Sequence, residues 1–488
     1  MIRFLILNTL ALAALPFFSE QILLADERPN IIFILTDDQG YGDLSCHGNP
    51  ILKTKNIDQL AKQCTRLSDF HVSPTCAPTR SALLTGRHEF KNGVTHTIQE
   101  RERMALDAIT LPQVLREAGY KTGIFGKWHL GDEPEYQPGK RGFDEVFIHG
   151  AGGIGQKFRG SCADAPQNKY FAPKIRHNGK FVKTEGFCTD VFFQQAQGWI
   201  DEQRKTEAPF FCYIPLNAAH SPFIAPQEYT KRFLELGMND KFAAFYGMIQ
   251  NIDDNVGTLV ENLEKWNLEE NTLLIFMTDN GSTSKSFFKK PGQAKFHFNA
   301  GMKGHKGSCH EGGTRVPAFF RWKNKIPADV EIDTLTAHID LFPTLAKLAG
   351  AKIPNNQVEG RDLMPLIKNP KTKWEDRYLF THLGRWKRFS EPDDAKFKSC
   401  AVRNERFRFE NNSELYDVIA DPGQKTNVID QHPKVVEKMR KAYDEWWKET
   451  RPKMVNEQAK FEGTHPFIEA YNKQKEADGI GDWKKPSF

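Results

Sequence analysis

Several side chains able to do chemistry stand just after short apolar runs. The run 31–35 ends in Thr36-Asp37-Asp38-Gln39-Gly40, and the run 273–277 ends in Thr278-Asp279-Asn280-Gly281. Adjacent carboxylates beside buried apolar residues are costly unless positive charge lies between them. Four hard oxygen donors at Asp37, Asp38, Asp279 and Asn280 suit calcium or magnesium, whereas zinc prefers nitrogen and sulfur. A solvated Asp-rich turn is the plainer account of either pair alone. A third stretch reads Cys76-Ala77-Pro78-Thr79-Arg80-Ser81-Ala82-Leu83-Leu84-Thr85-Gly86-Arg87. Pro78 suits the first turn of a helix, so Cys76 is expected just before a helix N-terminus, where free N–H groups favour negative charge. The plain alternative is a buried cysteine before an ordinary helix. Lys127 and His129 follow the run 121–125, His220 follows 210–214, and Lys306 opens a segment containing Gly312-Gly313. A cation and an imidazole two residues apart suit an anion whose chemistry needs proton transfer.

The apolar runs themselves read as buried central strands, too short for helices and rich in β-formers. In open α/β sheets, ligands gather at the carboxyl ends of such strands. Helices are expected at 57–63, capped by Asn56, and at 111–118, 245–266 and 338–348. Asp253 and Asp254 are placed on the wetter side of the third, in a structural role. Residues 151–183 read as a long basic loop near a site, with Lys157 and Arg159 able to contact a ligand. Residues 355–375 form a Pro- and Lys-rich connector. Beyond it, strands at 401–403, 407–409 and 415–417 and a helix at 433–449 make a smaller α+β unit. The last forty residues are polar and show no site.

The chain of 488 residues can bury a large core, and 39% hydrophobic with 26% charged residues is globular composition. A net charge of +5 without a Lys/Arg stripe excludes a nucleic-acid-binding reading. Arg3 followed by the apolar run 4–18 and a small residue at Ala25 reads as a cleaved export signal over 1–25, so the protein is expected in the periplasm or outside the cell. No later run has the ~20 apolar residues of a membrane span. Eight scattered cysteines without a Cys-x-x-Cys pair argue against zinc.

Cys-x-Pro-x-Arg followed by Leu-Thr-Gly-Arg resembles the signature of the type I sulfatases, with Thr79 where that family more often has Ser. Thr-Asp-Asp, Gly-Lys-Trp-His-Leu-Gly, the His-Ser-Pro histidine, Thr-Asp-Asn-Gly and Lys-x-x-x-x-Glu-Gly-Gly-x-Arg match in order, over about residues 30 to 425. The resemblance implies an alkaline-phosphatase-like α/β fold: a large mixed central sheet flanked by helices over 28–355, with a smaller C-terminal α+β domain over 376–488. It implies hydrolysis of sulfate monoesters, with sulfated glycans among the candidate substrates. It also implies that a maturation enzyme oxidises Cys76 to Cα-formylglycine, the hydrate of which is the nucleophile. Asp37, Asp38, Asp279 and Asn280, with the modified Cys76, would hold one calcium ion (magnesium being the lesser candidate). Arg80 would steady the formylglycine, Lys127 and His129 would face it and the sulfate, and His220 and Lys306 would reach the sulfate and leaving oxygens.

Two rival readings stay open at this level. A phosphomonoester or phosphonate hydrolase of the same superfamily is one, although a two-zinc site would need a second His- and Asp-rich set. A binder of sulfated glycans with an unmodified Cys76 is the other.

Overall fold

The computed structural model of the chain describes residues 28–287, 291–461 and 463–488. The expected export signal at 1–25 lies outside them. Among the described residues no helix is long and apolar enough to cross a membrane.

An eleven-stranded mixed sheet forms the middle of the molecule. Its strands lie in the order Val330–Ile332, Thr65–Leu67, Ala318–Arg321, Thr272–Thr278, Asn30–Thr36, Phe210–Pro215, Lys121–Lys127, Glu145–His149, Lys174–His177, Lys180–Lys183 and Gly481–Asp482. The apolar runs read as buried strands are the four at its centre, mutually parallel. Side chains alternate across a strand, so both faces must be covered. Ile31, Phe33 and Leu35 enter one core, and Ile32 and Ile34 enter the other.

Register decides what the strand ends present. Thr36 pairs with Thr278 and Leu35 with Pro215, so these strands stop level. The residues that follow, Asp37 and Asp279, therefore emerge side by side. Asp37 N–H donates to Ala218 O at 2.9 Å, and Asp279 N–H donates to Thr36 O at 3.0 Å, which stitches the three exits together.

Some local expectations shift. The basic stretch 151–183 is not all loop, because Lys174–His177 and Lys180–Lys183 form an antiparallel hairpin at the sheet edge. The long helix begins earlier, at Asp240, and runs to Lys265. Asp253 is buried rather than on its wetter side, and its carboxylate accepts from Ile57 N–H at 2.7 Å and Asn56 N–H at 3.2 Å. It supplies from a neighbouring helix the N-terminal acceptor expected of Asn56. The last residues do not all stay with the smaller unit either. Helix Pro466–Ala477 buries Phe467 and Tyr471 in a core of the large sheet, and Gly481–Asp482 adds its final strand.

The smaller unit is a four-stranded antiparallel sheet, Leu379–His382, Cys400–Arg403, Phe407–Glu410 and Glu414–Asp417, covered by helix Pro433–Thr450. Phe90 from the large unit inserts among Val402, Phe409, Tyr443, Trp446 and Trp447. A buried ion network also crosses the junction. Glu311 accepts from Arg408 Nε at 2.8 Å and from Arg403 Nε at 3.2 Å, and Arg403 Nη2 reaches Asp69 at 3.1 Å. Arg408 also donates to Cys309 O and to Thr314 Oγ1. Burial alone would raise the Glu311 pKa, but Arg408 and Arg403 override it and hold the carboxyl well below its usual range. The network fixes the segment between Lys306 and Thr314 against the smaller sheet.

Removing one partner of a buried pair leaves an uncompensated charge. Glu311→Gln is therefore expected to lower stability by about 3–5 kcal/mol, read as a lower urea midpoint, and to reduce turnover by loosening the Lys306 segment.

Candidate active site

The residues put forward as metal ligands and catalytic groups meet at the carboxyl edge of the four central strands, whereas Arg159 lies by Phe461 and Asp253 beside Asn56 and Ile57. Asn30–Thr36 delivers Asp37 and Asp38, Thr272–Thr278 delivers Asp279 and Asn280, and Lys121–Lys127 delivers Lys127 and, two residues on, His129. His220 lies in the turn after Phe210–Pro215. Cys76 is the first residue of the buried helix Cys76–Thr85 rather than the residue before it, since Thr75 is the extended N-cap and its carbonyl accepts from Thr79 N–H at 3.2 Å.

Each carboxylate has its own cation. Lys127 Nζ lies 2.5 Å from Asp37 Oδ2, and Lys306 Nζ lies 2.5 Å from Asp38 Oδ1. Arg80 donates from Nε at 3.1 Å and from Nη2 at 2.9 Å to Asp279 Oδ2. Its Nη2 also donates to Leu216 O at 3.1 Å and its Nη1 to Lys127 O at 3.4 Å, so one guanidinium ties an acid to two strand ends. A lysine has no planar fork to make that pattern. Lys306 is held in place by backbone: its N–H donates to Ser282 O at 3.1 Å. Next to it Gly281 N–H donates to Gly313 O at 3.0 Å, and a Cβ on Gly281 would stand 2.0 Å from Gly312 O. Only glycine permits that approach.

Cys76 Sγ faces His129 Nδ1 at 3.7 Å, and His129 Nε2 lies 2.8 Å from Thr97 O. His129 sits in the left-handed region at φ 61°, which turns its ring back toward Cys76. Burial first, and then Lys127, push the His129 pKa well below the usual imidazole value, so the ring is a neutral base. Burial likewise raises the Cys76 thiol, so no thiolate is prepared. His220 Nε2 is 3.9 Å from Asp38 Oδ2, and its pKa is lowered by burial and by Lys306. Burial and the charge of Asp37 push Asp279 up to about 7, despite Arg80.

The donor set fits a hard cation. One ligand atom each of Asp37, Cys76 and Asp279 can be chosen so that all lie within 4.8 Å of one another. Asp37 Oδ1 and Asn280 Oδ1 are buried with no hydrogen-bond partner among the described residues. Asn280 Nδ2 donates to Asp38 Oδ1 at 3.0 Å, which fixes the flip that leaves its oxygen unpartnered. Buried oxygens without partners are expensive, and a cation is the natural partner for two in one place. Asp69, His71 and Glu311 form a second close acidic group, but Arg403 and Arg408 already supply its positive charge.

Sequence reasoning missed three neighbours. Thr97 orients His129 through a backbone carbonyl, which no side-chain pattern reveals. His149 is fully buried on the strand beside Lys127, and neither ring nitrogen has a partner among the described residues. Gln156 shares the surroundings of Gly152 with His129: a Cβ on Gly152 would stand 2.9 Å from His129 Cε1 and 3.0 Å from Gln156 Oε1.

Comparison with known proteins agrees with this geometry. The Sulfatase family model matches residues 29–351, and the model described as N-sulphoglucosamine sulphohydrolase, C-terminal, matches 305–449. N-acetylgalactosamine-6-sulfatase of Canis lupus familiaris is 33% identical over 380 residues, covering 74% of this chain and 69% of that protein. The crystal structure of Ps i-CgsB in complex with k-i-k-neocarrahexaose has a TM-score of 0.75 at 30% identity, covering 92% of this chain and 98% of that one. A structure of BT4656 in complex with its substrate D-glucosamine-2-N,6-O-disulfate shares the fold, with a TM-score of 0.67 at 20% identity over 89% of this chain and all of that one. With the charged strand ends, the helix at Cys76 and the family match in agreement, the chain belongs to the sulfatase family and is a sulfuric ester hydrolase.

Proposed function

We propose that the protein removes sulfate from a sulfated carbohydrate, using a formylglycine hydrate made from Cys76 and one calcium ion. The observation that carries this reading is the setting of Cys76. Its Sγ lies against a neutral imidazole and within the same group of ligand atoms as Asp37 and Asp279, and its own thiol is not activated. Such a residue is better suited as a precursor than as a thiolate nucleophile.

Charge supports the same reading. Asp37, Asp38 and Asp279 are matched by Lys127, Lys306 and Arg80. A divalent cation held by Asp37, Asp38, Asp279 and Asn280 would leave the site with two extra positive charges, which match a departing sulfate dianion. When bound, calcium would supply a fixed Lewis-acidic charge beside the ester oxygens. The hydrated aldehyde would supply two hydroxyls, one to displace the alcohol at sulfur and one to let sulfate leave as the carbonyl returns. The chain's own groups do the rest. Arg80 and Lys127 hold the floor rigid and positive where charge shifts in the transition state. His129 Nδ1 stands at residue 76 to take the proton of the second hydroxyl. His220 and Lys306, both beside Asp38, would face the departing oxygen, and one of them would donate the proton that turns it into the alcohol.

The carbohydrate substrate is proposed from the names of the relatives, one an N-acetylgalactosamine-6-sulfatase and one crystallised with an oligosaccharide. Export through the 1–25 segment belongs to the same proposal, as does maturation by a formylglycine-generating enzyme. So does the division into a catalytic unit over 28–355 and a C-terminal unit over 376–488.

Three measurements test the proposal. Sulfate release from 4-nitrophenyl sulfate and from a panel of sulfated sugars should far exceed phosphate release from 4-nitrophenyl phosphate; preferred phosphate turnover overturns the reading. Cys76→Ala should abolish sulfate release with an unchanged melting temperature, and the tryptic peptide ending at Arg80 from native-source protein should carry an aldehyde at 76. Calcium should raise the melting temperature of the wild type and barely move that of Asp279→Asn; equal shifts would remove Asp279 from the metal site.

A further inference from the structure

The floor described above reads one sulfate group. The wall beside His129 has a chemistry that this reaction does not use. Thr97, the carbonyl of which orients His129, also accepts at Oγ1 from Arg385 Nη2 at 3.3 Å. Arg385 is exposed and belongs to the smaller unit, yet it is one residue removed from the catalytic imidazole. A guanidinium carries five N–H donors in a planar fork, of which Thr97 takes one.

The backbone that carries Arg385 is built to hold it there. Gly384 and Arg385 are both left-handed, at φ 67° and 53°. A Cβ on Gly384 would lie 1.8 Å from Thr95 O, so the turn is pressed against the segment leading to Thr97. Trp386 pins the other side: its Nε1 donates to Glu457 at 2.7 Å, its carbonyl accepts from Arg101 at 3.0 Å, and the Arg101 guanidinium lies 4.8 Å from its ring centre. Left-handed non-glycine backbone costs energy and persists only where the surroundings fix it. Two further arginines share Phe461. The guanidinium carbons of Arg388 and Arg159 lie 3.1 and 5.6 Å from the ring centre of Phe461.

We infer that Arg385 binds a second anionic group of the substrate, a sulfate ester or a carboxylate on the sugar next to the one losing its sulfate. The inference rests on the sulfatase reading and deepens it: the substrate is a polyanionic oligosaccharide, not an isolated sulfated sugar. A fork-shaped cation anchored at Thr97, the residue that also meets His129, selects for the spacing of the two anions as well as for their charge.

The test uses the mature, calcium-loaded enzyme and four substrates. They are 4-nitrophenyl sulfate, a neutral disaccharide with one sulfate, the same disaccharide with a second sulfate on the neighbouring sugar, and a monosulfated disaccharide with a neighbouring uronate. Wild type should show kcat/KM about tenfold higher for one of the doubly anionic disaccharides than for the singly charged one. Whichever of the two is preferred identifies the anion. Arg385→Gln should erase that ratio, chiefly through KM, Arg385→Lys should restore part of it, and added salt should shrink it in the wild type. A wild-type ratio near unity, a ratio unchanged by Arg385→Gln, or an equal loss on all four substrates overturns the inference. Absence of sulfate release by the wild type from every substrate overturns instead the sulfatase reading beneath it.

Discussion

Three acids and three cations are gathered at one edge of the sheet, five of them buried and Lys306 partly exposed, and the site depends on their offsetting one another. Asp37 has Lys127, Asp38 has Lys306 and Asp279 has Arg80. Any one of these charges alone in such a place would be prohibitive, and its pKa would shift until it was neutral. The pairs come from five chain segments, so each cation also acts as a clamp. Arg80 does this most fully, because its donors reach an acid and two backbone carbonyls at once. The same balance explains why the site suits anions. Of the oxygens put forward as metal ligands, those of Asp37 and Asn280 include one each without a partner among the described residues, and the cations that line the floor are already held in place.

That balance requires Lys306 to stay where it is, although it sits on an irregular segment. Two devices achieve this. Backbone pairing to 281–282 fixes it to a strand end, and glycines at 281, 312 and 313 let the two chains touch. Behind it, Glu311 and two arginines of the smaller sheet form a fully buried network. Buried ion pairs are weak contributors to net stability but strong specifiers of geometry when every donor is satisfied. The smaller sheet thus has a structural reason to be attached to the catalytic one, apart from its contribution to the wall around Arg385.

Much of the site was legible in the chain because its chemistry is local. An apolar run followed by Thr-Asp-Asp or Thr-Asp-Asn states both the strand and the residues at its end. The helix at Pro78 followed from residue type in the same way. What was not legible had long-range causes. Asp253 looked solvated because its own helix offers it no partner; its partners are the N–H groups of Asn56 and Ile57, nearly two hundred residues away. The hairpin at 174–183 gave little signal because edge strands are half-wet and basic. The terminal strand Gly481–Asp482 is two residues long and has no pattern of its own.

The sequence by itself determined which reactive groups exist and at what spacing: the Cys76 to Arg87 dodecamer, the two Asp-bearing strand ends, and the lysines and histidines that follow strands. Those are properties of residue type and local geometry, and local geometry is encoded within a few residues. Only the tertiary structure decided which acid meets which base. Arg80 and Asp279 stand 199 residues apart in the chain and share hydrogen bonds only because the helix Cys76–Thr85 packs against the end of the strand Thr272–Thr278. The same is true of Thr97, which links His129 to Arg385 across a further 288 residues. Packing of helix and loops on the sheet, not composition, sets those distances. Burial then makes each pairing obligatory, because an unpaired charge at that edge could not remain charged.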